Sequence, residues 1–359
     1  MENKRTCLYD KHVELGAQIS PFGGFDMPIQ YSTIIDEHQA VRTDCGVFDV
    51  SHMGEVSVKG PDAERYVQHI FTNDVSKIGD GQILYGMMCY EDGGTVDDLL
   101  VYRMAENDFF LVINAANIDK DWAWMQQNAE EFNIELVNRS EDYGQIAVQG
   151  PNSEKVVEEV LGIPCSELVF YTEKTIGDVI ISRTGYTGED GFEIYASHNY
   201  ICECWDKLVK SGRCKPCGLG CRDTLRFEVG LPLYGDELSP EISPVMSGLS
   251  MFCKFEKEEF IGKEALQRQK AEGVERRVIG IELDGKAIPR HGYVVLQDGE
   301  PVGEVTTGYH SISTDKSVCM ALVKTQHAKL GTRLDVQIRK KIFPGEVVKK
   351  RFYDKHYKK

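Results

Sequence analysis

Two segments of this chain, 90 residues apart, share one residue pattern. VSVKGPDAERYV occupies positions 56–67 and IAVQGPNSEKVV occupies positions 146–157, with the Gly-Pro pairs beginning at 60 and 150. In each segment Gly-Pro ends an apolar strand, and Pro suits the start of a helix because its φ is already fixed there. Asp62/Ala63 and Asn152/Ser153 then supply a cap or a first turn. Two such units predict two related α/β lobes, spaced too widely for a solenoid.

The segments around these units extend each lobe. GQILYGMMCY, GGTVDDLLVY and NDFFLVINAA are strand-like runs separated by turn residues, and IDKDWAWMQQNAEEF follows them with a helical pattern. GDVIISRTGYTGEDGFEIYAS predicts a hairpin with TGEDG as its turn, followed by helices at about 200–211 and 222–230. From about residue 275 the chain consists of short strands and turns, which is typical of a small antiparallel barrel. The sequence therefore predicts an α+β fold, with the two lobes at 1–270 and a β-barrel at 275–359.

The charge balance excludes some classes of partner. The formal net charge of −16 argues against binding along a phosphate backbone. No apolar run approaches the length of a membrane span, and the first residues lack a signal core. We therefore expect a cytoplasmic protein without a nucleic-acid or membrane partner. The basic segment 339–359 predicts a solvated, partly frayed end, with a dock for an acidic partner as the alternative.

The cysteines predict free thiols, because their number is odd and no export signal precedes them. Cys214 and Cys217 have a CxxC spacing that could hold zinc or act in redox exchange. However, no second CxxC accompanies them. Cys202 and Cys204 lie two residues apart in a predicted helix, so their side chains point in different directions. We expect no metal, and a zinc site in this cluster remains the alternative. The cluster comprises Cys202, Cys204, Cys214, Cys217 and Cys221.

The sequence lacks the common local motifs of catalysis. No GxGxxG follows a strand, and neither GxxxxGK[ST] nor HExxH occurs. The remaining candidates are polar residues at turns and strand ends. Among them are a Glu, an Arg and several tyrosines, which together could bind a flat heterocycle if the Glu is buried. Each also has a purely structural alternative, such as Arg222 pairing with Asp223 or Glu228. These candidates are the SHM motif at 51–53, Tyr85, Asn114, Tyr186, Glu193, Arg222 and Tyr234.

Two adjacent acids in GGTVDDLLVY raise a separate question. Side chains alternate along a strand, so Asp97 and Asp98 point to opposite faces. One carboxylate is then directed towards a packed face, which is costly without partners. Alternation alone does not say which acid this is.

Several long motifs resemble one family. FGGFDMPIQY, FDVSHM, GGTVDDLLVY, TGYTGEDGFEI, GLGCRDTLRFEVGLPLYG and FIGKEAL are similar to stretches of the aminomethyltransferases, the T-proteins of the glycine cleavage system. The resemblance runs in order from about Leu8 to Phe352. It implies a three-domain cloverleaf, in which two α/β lobes at 1–270 form a folate-binding unit beside the C-terminal antiparallel β-barrel.

The resemblance also implies a reaction and its participants. The one-carbon unit of an aminomethylated lipoyl arm on the H-protein passes to tetrahydrofolate, giving 5,10-methylenetetrahydrofolate, ammonia and dihydrolipoyl H-protein. Tetrahydrofolate is then a co-substrate, no metal or flavin is expected, and the partners are lipoylated H-protein and other components of the system.

The family pattern assigns roles by position. Asp98 matches the catalytic acid and is expected on the face of Val96 and Leu100, while Asp97 becomes the outward or structural acid. The folate-binding positions map onto Met53, Tyr85, Val112, Asn114, Tyr186, Glu193, Arg222 and Tyr234.

Two alternatives from related branches remain. One is a separated folate-dependent demethylase module, although the flavin domain usual there is missing. The other is a folate-binding accessory protein of iron–sulfur assembly, which is marked by a KGCYxGQE-like motif, whereas TGYTGEDGFE here has no Cys.

Overall fold

The computed structural model describes residues 2–358, and its N-terminal segment forms a two-stranded hairpin and contributes one strand to a later sheet. A tight hairpin forms around Gly23 and Gly24, both of which have positive φ, as such two-residue turns require. The elements of this segment are α1 (Tyr9–Glu14), β1 (Gln18–Phe22), β2 (Phe25–Gln30), α2 (Ile34–Thr43) and β3 (Gly46–Asp49).

The first lobe is a five-stranded antiparallel sheet with helices on one face. Its strand order is β5-β6-β7-β4-β8, and Val56 and Val58 on the inner face pack against the apolar side of α3. The elements are β4 (Gly54–Lys59), α3 (Ala63–Ile70), β5 (Gln82–Cys89), β6 (Thr95–Ala105), β7 (Asp108–Ile113), α4 (Ile118–Gln127) and β8 (Glu135–Asn138).

The second lobe has a six-stranded sheet of order β10-β11-β12-β9-β3-β13. Only the β3–β13 pair is parallel. Helix α5 continues into one π-helical turn, Val157–Leu161. The elements are β9 (Gly144–Gln149), α5 (Ser153–Val156), β10 (Glu173–Ile176), β11 (Val179–Ser182), β12 (Gly191–Ala196), α6 (His198–Lys210), β13 (Lys215–Pro216) and α7 (Leu219–Glu228).

The internal repeat has the structure that the sequence predicts. β4–α3 and β9–α5 are both strand–turn–helix units, and Gly60 and Gly150 at their turns have φ of 127° and 128°. A Cβ on Gly150 would lie 2.4 Å from the Asp44 carbonyl oxygen, so only glycine fits there. Asp62 and Asn152 occupy the N-cap positions but, within residues 2–358, cap neither helix with their side chains. They bind neighbouring loops instead.

The predicted hairpin of the second lobe has a longer connection than TGEDG. β11 pairs with β12, and residues 183–190 join them, so TGEDG occupies only the second half of the loop and runs into β12. The two predicted helices that follow are confirmed as α6 and α7, each starting two or three residues earlier than expected.

The C-terminal strands close into a barrel, as predicted. The strand order is β14-β17-β16-β15-β18-β19, with β19 pairing back to β14. Helix α8 (Lys263–Glu272) leads into it, and the strands are β14 (Arg276–Leu283), β15 (Val294–Gln297), β16 (Glu300–His310), β17 (Ser317–Lys324), β18 (Arg333–Ile338) and β19 (Lys341–Val348).

The two lobes face each other across an interlobe cluster. It comprises Ile83, Tyr102, Phe110 and Val112 from the first sheet and Ile180 and Tyr195 from the second. The hydroxyl groups of Tyr102 and Tyr195 are 2.9 Å apart, so these two buried phenols satisfy each other.

The expectation of a frayed C-terminus is wrong for the residues after β19. The Tyr357 ring stacks on Phe170 at 4.2 Å, and Arg42 lies 4.5 Å over the Tyr353 ring. The His356 amide donates to the Gly188 carbonyl at 2.7 Å. Apolar contact and backbone hydrogen bonds therefore hold this segment against the second lobe, despite its basic composition.

The cysteines are free thiols, as predicted, and all eleven lie within the described residues. Cys204 and Cys214 belong to one core cluster, and Cys217 and Cys221 to another. Residues 2–358 contain no group of three or more His, Cys, Asp or Glu side chains arranged to hold a metal ion. In the same range, no helix is long and apolar enough to cross a membrane.

Candidate active site

Asp98 lies on β6, near the end of the first sheet, with two hydrogen-bond donors fixing its carboxyl group. The Tyr85 hydroxyl donates to Oδ2 at 2.8 Å, and the Asn114 side-chain amide donates to Oδ1 at 3.0 Å. Tyr85 comes from β5, and Asn114 follows β7 directly. Three adjacent strands therefore supply the acid and the two groups that orient it.

The environment of Asp98 makes its proton labile near neutral pH. Burial, followed by the charge of Asp97, raises its pKa to about 7, while the hydrogen bonds from Tyr85 and Asn114 oppose that rise. A carboxyl group with such a pKa can exchange a proton without a large energetic cost at physiological pH.

Of the two expectations for Asp97, the outward position is wrong and the structural one agrees with the structure. Its side chain is fully buried and accepts three hydrogen bonds. The Asn114 backbone N–H donates at 2.9 Å, the Asn114 amide at 2.8 Å and the Asn117 amide at 2.7 Å. These donors replace water around the Asp97 carboxylate, whereas Asp98 is half-buried.

Asp98 shares its face of β6 with Leu100, as expected, but not with Val96. Met88 pairs with Asp97 and Cys89 with Thr95, so Val96 is the extra residue of a β-bulge. Val96 consequently joins the first-lobe core, while Leu100 packs against the interlobe cluster. The bulge shifts the alternation of side chains between the two faces of the sheet just before the two acids.

Tyr186 lies near Asp98, and Arg222 packs on the Tyr186 ring. The Arg222 guanidinium lies 4.5 Å over the Tyr186 ring, and the Tyr186 hydroxyl donates to the Pro232 carbonyl. The structural alternative for Arg222 is not found in the described chain, because Asp223 binds Arg226 and Glu228 binds Arg42. Burial lowers the pKa of Arg222, and the nearby Glu193 carboxylate opposes this.

Glu193 lies on β12 with its carboxyl group buried. Thr184 donates to Oε2, and the Gln145 amide donates to Oε1 at 3.3 Å. Burial raises its pKa, although these hydrogen bonds and Arg222 favour the charged form. Each oxygen retains a further lone pair for a ligand N–H group.

The remaining predicted residues provide apolar surface. Val112 is buried in the interlobe cluster, and Met53 packs partly against that cluster. Tyr234 donates to the Thr95 carbonyl at 3.2 Å, with the Lys120 ammonium 4.9 Å from its ring. Tyr234 thus lies at the start of β6, whereas Tyr85 and Asn114 contact Asp98 itself.

His52 is a buried group whose role we did not predict, although it lies in the SHM motif. Its ring meets Phe22 edge-on at 5.6 Å, and its Nδ1 has no hydrogen-bond partner within residues 2–358. Burial, followed by the charge of Arg222, lowers its pKa to about 4, so it is neutral near the site. The sequence reasoning also missed Asn117, Gln145 and Thr184, for which no local signal exists.

Two domain models of one family match most of the chain. The "GCVT N-terminal domain" matches residues 8–257, and the "Glycine cleavage T-protein C-terminal barrel domain" matches residues 276–354. The chain belongs to the glycine cleavage T-protein family. The predicted boundaries at 270 and 275 remain a prediction, since a model match does not define a folding unit.

Relatives of this T-protein family member extend over its full length. It is 48% identical over 366 residues to the aminomethyltransferase of Alkaliphilus oremlandii and 46% identical over 368 residues to that of Thermoanaerobacter pseudethanolicus, with 100% of each chain covered. The crystal structure of glycine cleavage system aminomethyltransferase T from Bartonella henselae superposes with a TM-score of 0.96 at 32% identity, covering 99% of both chains. The predicted function as an aminomethyltransferase of the glycine cleavage system is confirmed, and the two alternative branches are not favoured.

Proposed function

We propose that Asp98 is the catalytic group of this aminomethyltransferase and that the surrounding residues bind tetrahydrofolate. The observation that carries the proposal is the carboxyl group of Asp98, which is held by Tyr85 and Asn114 and has its pKa raised to about 7. The reaction transfers the one-carbon unit of the aminomethylated lipoyl arm of H-protein to tetrahydrofolate. The products are 5,10-methylenetetrahydrofolate, ammonia and dihydrolipoyl H-protein.

The residues around Asp98 have the chemistry that a folate requires. The Glu193 carboxylate can accept two parallel hydrogen bonds from the amino and ring N–H groups of a pterin. Arg222 lies close enough to stabilise the charged form of Glu193. Tyr85, Tyr186 and Tyr234 offer aromatic surface, and Met53 and Val112 offer aliphatic surface, for the flat ring.

The proposed mechanism assigns one proton step to Asp98. Loss of ammonia from the aminomethyl thioether leaves an electrophilic carbon, which a folate nitrogen attacks. The attacking nitrogen gains positive charge, and a fixed carboxylate beside it stabilises that charge and accepts its proton. The second folate nitrogen then displaces the lipoyl sulfur, which breaks the C–S bond and closes the ring. Of the two N–H protons that the folate loses, one leaves with ammonia and the other with the lipoyl thiol. Tyr85 and Asn114 keep the Asp98 oxygens directed at one place, so little reorganisation is needed during reaction.

The lipoylated H-protein is the proposed partner, since the one-carbon unit arrives on its lipoyl arm. The proposed mechanism includes no covalent intermediate with the enzyme, because the site accelerates the reaction by holding the folate nitrogen against the incoming carbon.

Ammonia release tests the proposal directly. Aminomethylated H-protein is incubated with the enzyme, with and without tetrahydrofolate, and ammonia and 5,10-methylenetetrahydrofolate are measured. We expect rapid release of equal amounts of both products only when tetrahydrofolate is present. An enzyme that leaves the aminomethyl group on H-protein in the presence of tetrahydrofolate contradicts the proposed function.

A further inference from the structure

A second pair of acids, Asp97 and Asp121, lies behind Asp98 and takes no part in the proposed proton step. Asp97 is on β6 and Asp121 is on α4, and both side chains are fully buried. Buried carboxyl groups are costly unless the fold satisfies them, so this pair needs a physical account.

Asn114 links Asp97 to Asp98. Its side-chain nitrogen lies 2.8 Å from Oδ1 of Asp97 and 3.0 Å from Oδ1 of Asp98. Its backbone N–H also donates to Oδ2 of Asp97 at 2.9 Å. One carboxylate therefore holds both the backbone and the side chain of Asn114. Because a primary amide has only two hydrogens, the second one is shared between Oδ1 and the backbone carbonyl of Asp98, each 3.0 Å from the Asn114 nitrogen.

Asp121 differs from Asp97 in its partners. Its carboxyl group is near enough to that of Asp97 for Asp97 to raise its pKa, and the Lys120 ammonium donates to its Oδ1 at 2.7 Å. Its Oδ2 has no hydrogen-bond partner within residues 2–358. A proton on this oxygen gives it a donor role towards the neighbouring carboxylate.

The hydrogen-bond donors around Asp97 indicate which of the two acids, Asp97 or Asp121, carries a proton. Two carboxyl groups close together at a buried site do not both ionise near neutral pH. Asp97 accepts three N–H groups, from Asn114 twice and from Asn117, which favours its ionised form. Burial and the charge of Asp97 raise the pKa of Asp121 to about 10 although the Lys120 ammonium opposes this rise, in agreement with a proton on Asp121.

We propose that Asp97 is a positioning residue that orients Asp98 through the Asn114 amide, and that Asp121 carries the proton that allows Asp97 to remain ionised beside it. The inference rests on the proposed function, because the reacting carboxylate is Asp98 in both. Other titratable groups face this arrangement: Tyr85 from β5, Lys120 from α4, and Tyr234 from the loop after α7.

Two substitutions test whether Asp121 acts as a hydrogen-bond donor or as a carboxylate. Asp121→Asn keeps an N–H donor in place of the O–H group, so kcat should stay within about threefold of wild type. Asp121→Ala removes the donor, and kcat should fall about tenfold to 100-fold, as expected for losing a hydrogen bond to a charged group. The control is Asp119→Asn on the exposed side of the same helix, which should be neutral. A loss in Asp121→Asn as large as in Asp121→Ala overturns the assigned proton.

Asp97→Asn tests the positioning role. It keeps the size of the side chain but weakens the hydrogen bonds that hold Asn114. The kcat should therefore fall about tenfold to 100-fold, while KM for tetrahydrofolate changes less than about threefold. Removing the charge of Asp97 should also lower the pKa of Asp98, so the acid limb of kcat should move to lower pH. A purely structural role lowers kcat without that movement. An unchanged kcat or an unmoved limb overturns the proposal.

An infrared measurement gives a readout that does not depend on turnover. At about pH 8, well above the usual aspartate pKa, the infrared difference spectrum between wild type and Asp121→Asn should show the loss of one protonated-carboxyl C=O band, and that between wild type and Asp119→Asn should show none. The difference is needed because burial also raises the pKa of Glu55, which therefore contributes a C=O band to every variant. In an enzyme that releases ammonia normally, this loss supports the inference. If no band is lost in Asp121→Asn, the inference is overturned and the proposed function still stands. Failure of wild type to release ammonia overturns the proposed function, and the positioning role with it.

Discussion

Replacing Asp98 by Asn changes the charge of the proposed catalytic group and almost nothing else. The Asn side chain has the same shape, and its carbonyl oxygen can still accept one hydrogen bond. Its NH2 group, however, must face either the Tyr85 hydroxyl, which is 2.8 Å away, or the Asn114 amide, which is 3.0 Å away. The hydroxyl can rotate to accept that hydrogen bond, so the side chain should keep its place.

The expected size of the effect follows from what the carboxylate contributes. General base catalysis by a positioned side chain supplies roughly 10²- to 10⁴-fold. Stabilisation of developing charge by a fixed group supplies about 10²- to 10³-fold, and the two overlap because they are the same carboxylate. We therefore expect kcat of Asp98→Asn to fall about 10³-fold, which is roughly 4 kcal/mol of transition-state stabilisation.

The assay separates turnover from binding. Ammonia release under saturating substrates gives kcat, and calorimetry gives the Kd of tetrahydrofolate, which should change less than about threefold because Glu193 and Arg222 are untouched. Asp178→Asn, at an exposed turn between β10 and β11, is the matched control and should behave as wild type. A kcat of Asp98→Asn within tenfold of wild type, with the same products, refutes the assignment.

Three further results are expected from the same structure. Because burial and Asp97 raise the pKa of Asp98 to about 7, kcat should rise with pH through a midpoint near 7 as the carboxylate forms, and a rate that is flat from about pH 5 to 8 contradicts its role as base. Glu193→Gln should weaken tetrahydrofolate binding about tenfold to 100-fold, because a charged acceptor is lost, and calorimetry that finds an unchanged Kd rules out the proposed pterin contact. Arg226 is fully buried, and its closest acidic partners are Asp223 at 2.6 Å and Glu237 at 2.9 Å. Arg226→Met should therefore lower the free energy of unfolding by about 3–5 kcal/mol in urea denaturation, and a variant as stable as wild type shows that the pair is dispensable.

Local sequence patterns predicted much of the fold because each depends on neighbours along the chain. Gly60 and Gly150 adopt φ values that side chains disfavour, so the turn after each repeat strand is specified by one residue. Short strands with turn residues between them likewise specified the barrel. The C-terminal segment was mispredicted because its basic composition concealed Tyr353 and Tyr357, whose packing depends on distant Arg42 and Phe170.

The candidate site was predicted less completely. The family pattern pointed to Asp98, and the structure joins it to Tyr85 and Asn114. Periodicity alone misplaced Val96, since a β-bulge is a property of strand pairing and not of one strand.

The sequence by itself determined the two related lobes, the barrel and the family. Only the tertiary structure decided what the two adjacent acids meet. Asp98 is oriented by Tyr85 and Asn114, and Asp97 is satisfied by Asn114 and Asn117 and lies near Asp121. These partners come from separate strands and a helix, so their contact depends on pairing and packing between segments. Burial then removes water from the carboxyl groups, and the pKa of Asp98 rises for that reason.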